Sequence, residues 1–385
     1  MGVPPNDKLP EKVNIKRYGV LDISDPLGTK KLTLFHNTEP KDELFSLLEY
    51  HSEIDSVGND WLKSKYPNSA KRKSVYRTFR SFIRQAKSYY YAAEGQDYNI
   101  APLSYFYAFE NLFRAYLTIK QGDTDKQQRY HGLHYKPQGE GKVYAKKNGV
   151  FNDFYYETMR SKIPENTYLN IEKLLNYCSD ISYEYKLIYK RTPAYIRGKS
   201  AFVVSNEKGL AHLILAINPP LVLIDNKALE KSLKKFFKEA NLNNVQKLNI
   251  LEIPHLREVR NYSYHISKEG WNYDNEPGFL LNVSTEVEKA FPQGLFPSMS
   301  MKGEQFTVFS SLRTNRKISC NEIIAIYVTM FYLSNIVRYY PEVLESSDDQ
   351  EKIWLLKRFV QSAPLTMLKY MVYLLLDKQV VLERI

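Results

Sequence analysis

Pro102-Leu-Ser-Tyr-Phe-Tyr-Ala-Phe-Glu-Asn-Leu-Phe-Arg-Ala-Tyr-Leu-Thr-Ile-Lys120, followed after a polar break by Tyr130-His131-Gly132-Leu133, carries too many aromatic and aliphatic residues for a surface helix. Tyr105, Phe109, Leu112, Phe113, Tyr116 and Leu117 recur at helical spacing, and Leu103 and Phe106 widen that face beyond what a surface helix carries. Such a rod has to be wrapped by other elements, so it is the expected centre of the core. Ser104 reads as its N-cap and Gly122 as its stop. Glu110, Asn111 and Arg114 interrupt the apolar pattern. A buried polar group needs a partner, so these three, with His131 beyond the break, form a candidate polar site or its rim.

Working outward on the N-terminal side, residues 1–40 are rich in Pro, Gly, Asp and Lys and read as an extended arm ending near Leu32-Thr-Leu-Phe35. A short helix is expected to start at Asp42 to Leu48, with Trp61 an anchor after a turn at Gly58-Asn59. From Ser69 the pattern sharpens: Val75, Phe79, Phe82, Ile83, Ala86 and Tyr90 form one helical face. Lys73, Arg77, Arg80, Arg84 and Lys87 repeat at the same spacing on the opposite face. No acid occurs between Lys71 and Lys87. Two readings of that row stand, a track for a phosphate backbone or a solubilising face neutralised by acids from elsewhere.

On the C-terminal side, Val143-Tyr144 and Val150-Phe151 flank Asn148-Gly149 and read as a hairpin. Leu169 to Tyr189 reads as helix. Between Lys199 and Phe309, Ala201-Phe-Val-Val204, Leu213 to Ile217, Leu221 to Ile224, Phe279 to Val283 and Phe306 to Phe309 are short strand-like runs around one helix at Lys227 to Glu239. Asn321 to Arg338 and Pro364 to Leu376 are apolar nearly all round, with Pro364 at the start of the last helix. The expected fold is mainly α with a small α+β insertion. Its divisions are an arm (1–40), a helical domain (41–195), the insertion (196–315) and C-terminal helices packing back on the core (316–385).

Composition sets the remaining bounds. The 385 residues carry a formal charge of +11, which favours a polyanionic partner, and 31 Tyr and 19 Phe suit both core packing and base stacking. Cys178 and Cys320 lack metal-ligand spacing, so no Cys-based metal site and no disulfide framework are expected. The N-terminus has no apolar leader and the run Ile323 to Leu333 is short for a membrane span, so a cytoplasmic protein without a membrane partner is expected. No cofactor or metal is expected: there is no Gly-rich phosphate loop, His131 and His134 lack a third ligand, and Glu184-Tyr185-Lys186 has the form of a metal nuclease without the strand. Asn282-Val-Ser284 matches a glycosylation acceptor in spacing only.

Ser104 to Tyr116, Tyr130-His131-Gly132-Leu133, Met330 to Pro341 and Lys352-Ile-Trp354-Leu-Leu together resemble the YaaC-like proteins of bacteria, over roughly residues 40 to 190 and 315 to 380. That family has no well-established activity. A looser resemblance is to the HEPN helical domains, many of which are metal-independent ribonucleases marked by Arg-Asn followed by His. Arg260-Asn261-Tyr-Ser-Tyr-His265 fits that spacing. The resemblance implies a helix carrying Arg260 to hold phosphate, Asn261 to orient and His265 to move the proton. It also implies a HEPN-like helical core and dimeric action on RNA in bacterial stress or phage defence. The alternative is a non-catalytic nucleic-acid-binding or scaffold protein.

Overall fold

The computed structural model describes residues 13–14, 18–20, 30–36, 39–122, 130–136, 141–159, 161–191, 194–205, 210–218, 227–244, 247, 262–272, 295–298, 305–309, 311–313, 317–345, 349–376 and 378–384. Arg260, Asn261, Asn282 and the runs 221–224 and 279–283 lie outside the described residues. The chain is mainly α with a smaller α+β part, and it divides into two compact units.

The first unit is Met1–Gly28, Tyr195–Phe296 and Gln305–Val308. Its strands are β1 (Val13–Asn14), β2 (Tyr18–Val20), β7 (Tyr195–Ser205), β8 (Leu210–Ile217), β9 (Phe237–Asn241), β10 (Ser263–Ser267), β11 (Trp271–Asn272), β12 (Leu295–Ser298) and β13 (Gln305–Phe309), with helix α8 (Lys227–Phe236). They form one sheet in the order β1-β9-β10-β8-β7-β13-β12, with β2 on β7 and β11 on β8. The helix expected to run on to Glu239 stops at Phe236, because Phe237 to Glu239 pair with Ser267 to His265 of β10.

The second unit is Thr29–Ala194, Pro297–Glu304 and Phe309–Ile385. It holds helices α1 (Pro40–Glu53), α2 (Asp55–Lys63), α3 (Ser69–Glu94), α4 (Ala101–Gln121), α5 (Val150–Met159), α6 (Ile171–Leu175), α7 (Ser182–Tyr189), α9 (Glu322–Tyr339) and α10 (Gln350–Leu376). Strand β3 (Lys30–His36) pairs in parallel with β16 (Lys378–Arg384), and β14 (Ser311–Arg313) with β15 (Lys317–Ser319). A three-stranded antiparallel sheet joins β4 (Leu133–Tyr135), β5 (Lys142–Ala145) and β6 (Tyr168–Asn170).

Helix α4 is the hub of this unit. Phe106, Phe109, Leu112 and Phe113 are fully buried, and α3, α5, α9 and α10 pack around it. Phe113 stacks on Phe154 of α5 (ring centroids 3.4 Å apart) and on Tyr327 of α9 (4.2 Å). Gly122 ends the helix in the left-handed conformation, its N–H donating to the Thr118 carbonyl at 2.9 Å.

Several local expectations are corrected. Helix α4 starts at Ala101 with Pro102 in its first turn, so Ser104 is inside the helix and its hydroxyl meets Gln96 rather than a free amide. Gly58-Asn59 is helical, since a bare Gly58 lets α2 press on the Tyr76 ring. Asn148-Gly149 makes no hairpin: β5 pairs with β4 and β6, and Val150 opens α5. Leu169 to Tyr189 is broken into β6, α6, a 3-10 turn at Ser179–Ile181 and α7. Pro364 is interior to α10 rather than at its start. That helix is also long and apolar enough to cross a membrane by length and composition, and 72% of the qualifying window is buried inside the protein.

Candidate functional site

Helix α4 and the segment 130–132 bring three polar residues together. Glu110 is almost wholly buried, with 4% of its side chain exposed. Its Oε1 accepts from Arg114 Nη2 at 2.6 Å and Nε at 3.1 Å, one helical turn away. Its Oε2 meets Nδ1 of His131. Burial works against the Glu110 charge, but the hydrogen bond to His131, joined by Arg114, outweighs it and holds the carboxyl below its ordinary range. Asn111, expected in the same set, donates instead to the Tyr107 carbonyl at 2.8 Å and serves its own helix.

The position of His131 follows from the backbone around it. The first amides of α5, which no helical carbonyl can satisfy, donate outward: Val150 N–H to Tyr130 O and Phe151 N–H to His131 O, both at 3.0 Å. Lys146 N–H donates to Gly132 O at 3.0 Å. Gly132 (φ 82°) and Gly149 (φ 142°) lie back to back: a Cβ on Gly149 would enter the Gly132 backbone, and one on Gly132 would come 2.6 Å from Asn152 Oδ1. The imidazole rests against Phe106 at 5.2 Å and Tyr107 at 6.3 Å between ring centroids, with Phe331 of α9 behind.

That arrangement has a chemical consequence. A neutral imidazole that donates from Nδ1 to a carboxylate keeps Nε2 as an acceptor, with the ring orientation fixed. His131 Nε2 has no hydrogen-bond partner among the described residues, and 35% of the side chain is exposed. The fully buried Tyr327 hydroxyl, held between Phe113 and Phe151, also lacks a hydrogen-bond partner among the described residues. Burial, with Glu110 adding to it, pushes that phenol far up. Tyr327 is a residue that sequence reasoning missed, because only folding brings α9 against α4.

Of the two readings of the α3 row, the second, neutralisation by acids from elsewhere, describes Arg80, Arg84 and Lys87. Arg80 pairs with Asp55 and donates to Ser52 O at 2.6 Å, Arg84 pairs with both carboxylate oxygens of Glu53, and Lys87 reaches Glu49 Oε1 at 2.6 Å. The acids come from α1 and α2, outside the acid-free window that suggested a bare stripe. Arg77 and Lys73 are exposed, about one and two turns before Arg80.

The helix expected to carry His265 of the Arg260–His265 motif is corrected to a strand. His265 is on strand β10, opposite Leu215 of β8 and Glu239 of β9, where the motif calls for a helix. It is 7% exposed, burial holds its imidazole down at about 4, and Nε2 meets Ser263 Oγ at 3.0 Å. Of the other candidates, Glu184 is helical and accepts from Arg358 Nε at 3.3 Å, and no metal-ligating cluster occurs among the described residues.

No curated protein and no solved structure gives a significant match to the chain. The family model described as YaaC-like Protein matches residues 49–375, which takes in α4, the Glu110–His131 pair and both C-terminal helices. The chain therefore belongs to the YaaC-like family.

Proposed function

We propose that this YaaC-like protein acts on RNA through a metal-independent acid–base centre made by Glu110, Arg114 and His131. One observation carries the reading: a buried carboxylate, braced by an arginine, grips Nδ1 of a half-exposed histidine and leaves Nε2 unengaged. In such a pair the carboxylate fixes tautomer and orientation and stabilises the imidazolium that forms. His131 Nε2 then takes the proton of a ribose 2′-hydroxyl, and the 2′-oxygen bonds to the adjacent phosphorus. The P–O5′ bond breaks, leaving a 2′,3′-cyclic phosphate; the departing 5′-oxygen takes a proton from water, and His131 gives the 2′-hydroxyl proton back to solvent. The net charge of +11 favours a polyanionic substrate. The bacterial cytoplasm is the proposed setting.

Incubation of the protein with mixed RNA, with and without EDTA, tests this. Cleavage that persists in EDTA, yields cyclic phosphate ends and falls about 100-fold or more in His131→Ala supports the reading. RNA left intact in both conditions refutes it. The second reading, non-catalytic nucleic-acid binding, is favoured by the mutual neutralisation of Glu110 and Arg114, which leaves that arginine committed to the protein. It requires salt-sensitive binding without cleavage.

A further inference from the structure

The sheet β4–β5–β6 follows directly on His131, and its two faces differ sharply. Leu133, Val143, Ala145 and Leu169 turn into the core. The alternate positions, His134, Lys136, Lys142, Tyr144, Lys146, Tyr168 and Asn170, are exposed or half-buried, as the two-residue period of strands requires. No acid stands among them.

Register sharpens the picture. His134 lies directly opposite Tyr144, and Tyr144 directly opposite Tyr168, so three rings cross the three strands in one row. Lysines lie over two of these rings. Lys136 Nζ is 5.2 Å from the Tyr144 ring centroid and Lys142 Nζ 5.9 Å from that of Tyr168. Lys146 continues β5 on the other side, its N–H bonded to Gly132 next to His131. None of Lys136, Lys142 and Lys146 pairs with a carboxylate among the described residues. The local field is positive: burial first, then Lys146 and Lys136, hold the His134 imidazole below its ordinary value.

We infer that this outward face is a platform for single-stranded nucleic acid: unpaired bases stack on Tyr144 and Tyr168, and Lys136, Lys142 and Lys146 take the flanking phosphates. Rings in a row with flexible lysines resting on them suit a strand in which base and phosphate alternate, each base displacing a lysine from its ring onto the neighbouring phosphate, and a paired duplex cannot offer its base faces. The α3 row is a poorer track, because Arg80, Arg84 and Lys87 already hold carboxylates. The inference rests on the reading of the protein as RNA-directed, and it supplies the surface that presents a strand to His131.

The test is fluorescence anisotropy with labelled oligouridylate, the matching oligothymidylate and a duplex of equal length, over a salt series. The full-length protein is expected to bind single strands at least about tenfold more tightly than the duplex. Lys136→Ala/Lys142→Ala/Lys146→Ala should weaken binding about tenfold or more and reduce the log–log salt slope by roughly 2. Tyr144→Leu/Tyr168→Leu should weaken it roughly 30-fold or more, while Tyr144→Phe/Tyr168→Phe, which keeps the rings, should bind as the parent does. Circular dichroism establishes that each variant is folded. Equal affinity for duplex and single strand, no binding of either single strand, or loss of affinity only in Lys73→Ala/Arg77→Ala overturns the platform. Stronger binding of oligouridylate than oligothymidylate assigns the strand as RNA. The acid–base reading fails separately: His131→Ala cleaving normally sinks that reading and leaves the platform, whereas platform variants that bind normally beside an inert His131→Ala sink the platform alone.

Discussion

Replacing Glu322 with Gln should abolish a pH dependence built into the core of the helical unit. Glu322 opens α9, is 1% exposed, accepts from Ser179 N–H at 2.5 Å and from the Tyr370 hydroxyl at 2.6 Å, and lies near Asp180. Asp180 is itself engaged by the Thr366 hydroxyl. Burial first, then Asp180, disfavours the Glu322 carboxylate more than the two hydrogen bonds favour it, and the carboxyl is pushed from 4.5 to about 7. The folded state thus holds this proton more tightly than the unfolded chain does. Its contribution is complete below about pH 4.5 and is lost as pH rises through 7. A rise of that size corresponds to about 3 kcal/mol. Glutamine keeps the shape, accepts from Ser179 through Oε1 and turns its Nε2–H toward the Tyr370 oxygen, but carries no charge at any pH. Urea unfolding followed by far-UV circular dichroism at pH 5, 6, 7 and 8 should show near-equal stability of the two proteins at pH 5. By pH 8 the variant should be ahead by about 2–3 kcal/mol. A difference that stays flat across the series, or that favours the parent at pH 8, refutes the reasoning.

Glu110→Gln should destabilise the helical unit by about 2–4 kcal/mol at pH 7, because Arg114 and His131 lose their shared partner. With the carboxyl held below its ordinary range, that loss should shrink as pH falls toward 3, which acid titration of the two proteins checks. Gly149→Ala should cost about 2 kcal/mol or more and reduce RNA cleavage, since a Cβ there enters the Gly132 backbone that sets His131; melting curves and the cleavage assay read both effects. Gly58→Ala should cost about 2 kcal/mol without touching the acid–base centre, as its Cβ overlaps the Tyr76 ring and comes 2.6 Å from the His51 carbonyl oxygen. Arg84→Ala should leave nucleic-acid affinity unchanged in anisotropy titrations, its guanidinium being occupied by Glu53.

The hub helix was legible because its apolar periodicity is local: Phe106, Phe109, Leu112 and Phe113 announce burial on every side. The same locality explains the failures. Whether Arg80, Arg84 and Lys87 are bare depends on Glu49, Glu53 and Asp55, which α1 and the turn into α2 bring alongside α3. Asn148-Gly149 carries a hairpin signal, but Val150 and Phe151 are taken up by α5, whose free amides fasten Tyr130 and His131. Glu110 was visible as a polar break in an apolar helix and His131 as a histidine in the polar segment after it. Their pairing was not, since it depends on where the 130–132 segment crosses α4. The Tyr144–Tyr168 row was hidden most deeply, because it exists only through the register of three short strands.

Parallel RNA-cleavage assays of His131→Ala and His265→Ala in EDTA decide whether the Glu110–His131 pair does the chemistry. The account predicts that His131→Ala loses activity about 100-fold or more while His265→Ala keeps the parent rate. Loss of activity in His265→Ala with His131→Ala unaffected would contradict it.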